Sequence, residues 1–107
     1  MRIAIVISSN DTEVCWKALQ YANSCFEQKE EARVFLIGKG IGYKKVSTKE
    51  FNTIEQSGKF LKAGGQIIIC GTHIEPHSQE SSDMFSVSTM RYMYQIEKES
   101  DKVVTFK

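Results

Sequence analysis

Arg2-Ile-Ala-Ile-Val-Ile7, running straight into Ser8-Ser-Asn-Asp-Thr12, is the stretch whose reading decides the fold. A near-continuous β-branched run of this kind is the pattern of a strand covered on both faces, as in a parallel sheet. The five polar residues after it supply turn and helix-capping chemistry. Glu13 then adds negative charge in the first turn, where the helix dipole favours it. From Val14 to Phe26 the apolar residues fall at positions 14, 15, 18, 19, 22, 25 and 26, a helical period with one broad apolar stripe. A buried strand feeding directly into an amphipathic helix is the first half of a β-α-β unit.

The same alternation continues outward. Arg33-Val-Phe-Leu-Ile37 reads as a second strand closed by the glycine-rich Gly38-Lys-Gly-Ile-Gly42, and Tyr43 to Asn52 is polar and lacks a period. Helical spacing returns from Thr53 to Ala63 and stops at Gly64-Gly65. Gln66-Ile-Ile-Ile-Cys70 is a third buried strand, followed by a long polar stretch, Gly71 to Ser86, a helix over Thr89 to Lys98 and a last strand, Lys102 to Phe106. The order predicts an α/β protein: a three-layer α/β/α sandwich with a mostly parallel sheet and right-handed crossovers. In such sheets ligands and reacting groups gather outside the carboxyl ends of the strands. Ser8 to Asp11, Gly38 to Gly42 and Cys70 to His77 fall on that edge.

At 107 residues the chain has room for one domain, residues 1–107. Its apolar fraction of 41% and charged fraction of 25% are those of a globular protein. A formal charge of +1, with no run of five like charges, nominates neither nucleic acid nor an anionic membrane as a partner. The longest apolar run, Ile3 to Ile7, is far short of the roughly 20 residues of a membrane span and of the core of an export signal. Three cysteines, an odd number, point to free thiols in a reducing cytoplasm rather than a disulfide framework.

Cys70 is the leading candidate for chemistry, because it ends a buried strand at the functional edge and passes into the long loop. Its thiol becomes reactive if His73 or His77 lowers its pKa; the bland alternative is a small buried hydrophobe at a strand end. Cys15 and Cys25 lie on the apolar stripe of the first helix and read as core, although Cys15 sits in the first turn, where backbone N–H groups can favour a thiolate. Cys70, His73 and His77 also spell C-x2-H-x3-H, three of the four ligands of a closed zinc site, with Glu75, Glu80 and Asp83 available in the same loop. Gly38 to Gly42 lacks the helix start and the Lys-Ser/Thr pair of a phosphate loop and reads as a turn. The third helix carries Met90, Tyr92, Met93, Tyr94 and Ile96 over more than one face, which suggests self-association.

Taken together, the opening strand with Ser8-Ser-Asn-Asp-Thr12, Val34-Phe-Leu-Ile-Gly38, Gly64-Gly65 before Ile67-Ile-Ile-Cys-Gly-Thr72, and Ser88-Thr-Met90 leading to Asp101-Lys-Val-Val-Thr-Phe106 resemble the DsrE/DsrF-like sulfur-relay superfamily, with its YchN-like and TusD-related members. The resemblance covers nearly the whole chain and implies a flavodoxin-like layered fold. It also implies assembly into homo-oligomers (dimers, trimers or hexamers) and a cysteine after the third main strand that accepts sulfur as a persulfide and passes it to a partner protein without a cofactor. Cys70 is the matching position. Related chains often carry a second cysteine three residues on and an Arg-Gly pair beyond it; here His73, His77 and Ser78 stand in that region, so no local C-x-x-C dithiol exists. The expected function is therefore a cytoplasmic sulfur carrier acting through Cys70, His73 and His77. The alternative is a non-catalytic binding module for a small ligand or metal at the same place.

Overall fold

The computed structural model of the protein describes residues 1–70, 86–88 and 90–107. In chain order the elements are β1 (Arg2–Ile7), α1 (Thr12–Glu27), β2 (Glu31–Ile37), a short 3₁₀ helix (Gly38–Gly42), α2 (Thr53–Lys62), β3 (Gln66–Cys70), β4 (Ser86–Ser88), α3 (Met90–Glu99) and β5 (Lys102–Phe106). The strands form one five-stranded sheet in the order β4-β3-β2-β1-β5, and every neighbouring pair is parallel. The layered α/β architecture is the expected one, and two elements differ from the sequence reading. β4 lies at the end of the polar stretch, where Ser86-Val-Ser88 is too short and polar to signal a strand; its ladder to β3, from Ile68↔Ser86 to Cys70↔Ser88, creates it. β2 starts at Glu31 rather than Arg33, because the Glu31 N–H still reaches the Met1 carbonyl at 2.9 Å and carries the ladder into charged sequence.

Helices α1 and α2 start where side chains cap them. The Asp11 carboxylate accepts from the Val14 N–H at 3.0 Å at the head of α1, and the Asn52 amide oxygen does the same for Glu55 at 2.9 Å at the head of α2. Each cap satisfies a backbone donor that the helix leaves unpaired and contributes about 1 kcal/mol.

Side-chain alternation along the strands divides the core in two. Ile3, Ile5, Ile7, Val34, Leu36 and Ile69 face α1 and α2, against Cys15, Leu19 and Phe60. Ala4, Val6, Phe35, Ile68 and Cys70 face the other way, against Met93 and Ile96 of α3. Crossover handedness accounts for the division. The connections from β1 to β2 and from β2 to β3 step in one direction across the sheet, so right-handed crossovers put α1 and α2 on the same face. The return from β4 to β5 runs the opposite way and puts α3 on the other face.

The aperiodic connection between β2 and α2 is built from local contacts instead of a helical or strand pattern. Tyr43 is fully buried, the Thr53 hydroxyl donates to the Tyr43 carbonyl at 2.7 Å, and the Thr48 N–H donates to the Phe51 carbonyl at 3.0 Å. Gly40 lies so close to the end of β1 that a Cβ would collide with the Ile7 carbonyl. Gly58, by contrast, sits in α2 with open space where a Cβ would be. Gly40→Ala is therefore expected to destabilise the fold by about 2 kcal/mol or more through overpacking, whereas Gly58→Ala is expected to stabilise it by about 0.8 kcal/mol through helix propensity. Urea denaturation midpoints of the two variants, moving in opposite directions, check both.

Candidate functional site

The carboxyl edge of the sheet is set by register. Ile7 pairs with Leu36 and Phe106, Ile37 with Cys70, and Cys70 with Ser88, so β1, β2, β3, β4 and β5 all end at the same side. Of the residues singled out by sequence, Cys70, Ser8 to Asp11 and Gly38 to Gly42 are described there; His73 and His77 lie outside the described residues, as do Glu75, Glu80 and Asp83.

Cys70 is the last residue of β3 and is 1% exposed. Its side chain faces the α3 layer, in the cluster formed by Ala4, Val6, Phe35, Ile68, Met93 and Ile96. Burial pushes its thiol up to about 11, and the negative charge of Glu97 on α3 adds to the shift. Removing a thiolate from water costs free energy that nothing in this apolar cluster returns, so at neutral pH the group is a protonated thiol.

Cys15 lies in the first turn of α1 on the opposite face of the sheet and is fully buried. Its Sγ–H donates to the Ser9 carbonyl at 3.1 Å, and burial, followed by the nearby Asp11 charge, raises it to about 11. The helix N-terminus thus does not yield a thiolate at Cys15. Cys25 is also a core residue, raised chiefly by burial. All three cysteines are free thiols, and the sheet separates Cys70 from the other two.

The polar turn after β1 is committed to structure. The Ser9 hydroxyl accepts from the Asp11 N–H at 2.9 Å, and Asp11 caps α1. Gly38 to Gly42 forms a 3₁₀ helix whose Gly38 adopts a φ of 53°, which accounts for a glycine there without a phosphate. Among the described residues, no three His, Cys, Asp or Glu side chains converge as a metal site would require. No described helix is long and apolar enough to cross a membrane.

Sequence reasoning missed two features of this edge. One is Glu97, whose place on α3 opposite Cys70 depends on which face α3 covers and has no local sequence signal. The other is the set of lysines on the 38–50 connection, spaced too widely to count as a charge run.

The raised thiols have a consequence for stability. In the unfolded chain these groups ionise near 9.0, whereas Cys15 and Cys70 in the folded protein ionise near 11. A folded pKa above the unfolded one gives stability that is fully present below about 9 and is lost as pH rises toward about 11. Urea melts across that window are expected to show falling stability, with a shallower fall in Cys70→Ala than in the native chain. Compared with protein-family models and with curated proteins, the chain finds no match in either set.

Proposed function

We propose that the protein is a DsrE-like sulfur carrier in which Cys70 accepts sulfane sulfur and passes it on as a persulfide. The observation that supports this reading best is the position of Cys70, the one cysteine of the three that lies in a strand and ends it at the carboxyl edge of the parallel sheet. In the reaction the Cys70 thiol loses its proton and its sulfur attacks the terminal sulfur of a donor persulfide. A new S–S bond forms at Cys70, the donor S–S bond breaks and the donor leaves as a thiolate; no net oxidant is needed. An acceptor thiolate then attacks the outer sulfur and releases Cys70.

A thiol 1% exposed with a pKa near 11 is protected at rest. Sulfur uptake on this reading takes place when the edge opens transiently around Cys70, with His73 or His77 as the proposed proton acceptor. Protection has a use, because a persulfide shielded from water and small thiols survives until the correct acceptor arrives. The reading includes a reducing, cytoplasmic setting and homo-oligomeric assembly. The exposure of Met90 at 52% and Tyr94 at 63% on α3 supports the latter, since large apolar groups left in water favour association.

The same burial supports a second reading, a binding module of this fold in which Cys70 is only a packing residue. Incubation with inorganic polysulfide followed by intact-mass analysis separates the two. The carrier is expected to gain the mass of one sulfur atom per chain, removable by dithiothreitol, in the native protein and in Cys25→Ala but not in Cys70→Ala. Absence of the adduct in a folded native chain, or its persistence in Cys70→Ala, would overturn the carrier reading and leave the binding module.

A further inference from the structure

The connection after β2 carries Lys39, Lys44, Lys45 and Lys49 against a single carboxylate, Glu50, in residues 38–50. That excess stands out in a chain whose total charge is +1. We propose that Lys39, Lys45 and Lys49 form a docking rim for an acidic protein surface beside the Cys70 edge.

Three observations carry this. First, the three lysines are exposed, and among the described residues no carboxylate pairs with any of them. Second, the segment that bears them is firmly built. Tyr43 anchors it in the core, Gly40 abuts the Ile7 carbonyl, the Ser47 hydroxyl meets the Asn52 side chain at 3.2 Å, and Phe51 packs edge-on against Trp16 with ring centroids 5.5 Å apart. Charges held on an ordered backbone lose less entropy on binding than charges on a floppy tail. Third, the segment springs from Ile37, the residue paired with Cys70 in the neighbouring strand, so it begins at the end of the sheet where Cys70 lies, although Tyr43 anchors it on the α1 and α2 face and Cys70 turns toward α3.

Three exposed lysines spread over eleven residues of chain suit a broad acidic surface better than a small anion. An acidic protein is favoured over nucleic acid because a nucleic-acid binder needs a strongly basic domain, and this one is nearly neutral. Steering of this kind acts mainly on the association rate and weakens as salt screens it beyond about 8 Å at physiological ionic strength. A role for the rim in sulfur transfer rests on the carrier reading above; docking itself does not.

The test has two arms. In the first, fluorescent polyglutamate is titrated with the native protein and with the triple variant Lys39→Gln/Lys45→Gln/Lys49→Gln, whose thermal melting is checked to be unchanged. Native binding at low salt, lost in high salt and about ten-fold weaker in the triple variant, is the expected result. Equal binding by the two proteins, no binding by the native one (as when the chain's own acids occupy the lysines), or tighter binding to duplex DNA than to polyglutamate would overturn the proposal. In the second arm, persulfide-loaded protein is offered cysteine peptides flanked by glutamates or by lysines. The glutamate-flanked peptide should be the faster acceptor for the native protein alone, and equal rates would remove the rim from sulfur transfer. Failure to load sulfur at all would strike the carrier reading and leave the first arm standing.

Discussion

Parallel strands cannot be joined by tight hairpins, so the connections from β1 to β2, from β2 to β3 and from β4 to β5 each lie on one face of the sheet or the other. The rest of the molecule depends on that constraint. Two successive steps in one direction commit α1 and α2 to a common face, and the return of the chain from one edge strand, β4, to the other, β5, commits α3 to the opposite face. Because all five strands also point the same way, everything that follows a strand gathers at one end. The alignment brings Cys70, the turn after β1 and the lysine-bearing connection to a common edge.

The chemistry at that edge is governed by which side of β3 a residue occupies. Period-two alternation turns Ile67 and Ile69 toward the two-helix layer and Ile68 and Cys70 toward the single-helix layer. One helix covers that side among the described residues, and Cys70 is nonetheless buried, in one cluster with Phe35 and with Met93 and Ile96 of α3. A shift of register by one residue would place the thiol among Cys15, Leu19 and Phe60 and away from Glu97 altogether.

Most of the fold was legible because its signals are local. The β-branched runs at Ile3 to Ile7 and Ile67 to Ile69, the helical stripe from Val14 to Phe26 and the Gly64-Gly65 stop each identify an element without reference to the others. β4 was not legible, since Ser86-Val-Ser88 is short, has one apolar residue and exists only through its ladder to β3. The buried role of Tyr43 was equally hidden, because a lone aromatic in a polar stretch has no period to betray the face it takes. At the candidate site the location of Cys70 could be read from its strand, but its burial and raised pKa could not. Those depend on α3 and Glu97, which meet β3 only through the crossover geometry.

The pairing of β1 with β5 joins the most distant parts of the chain. Ile3 lies against Lys102 and Ile7 against Phe106, and the corner is fastened where the Arg2 N–H meets the Asp101 carboxylate at 2.8 Å and the Asp101 N–H meets the Arg2 carbonyl at 2.8 Å. During synthesis, therefore, β1 can pair with β2 early but keeps one bare edge until residues 102–106 have emerged. A central, strongly apolar strand waiting in that condition is a template for wrong partners, and contacts this remote in sequence form slowly. The opening run that most plainly declares the fold is thus also the segment that the nascent chain has to shield longest.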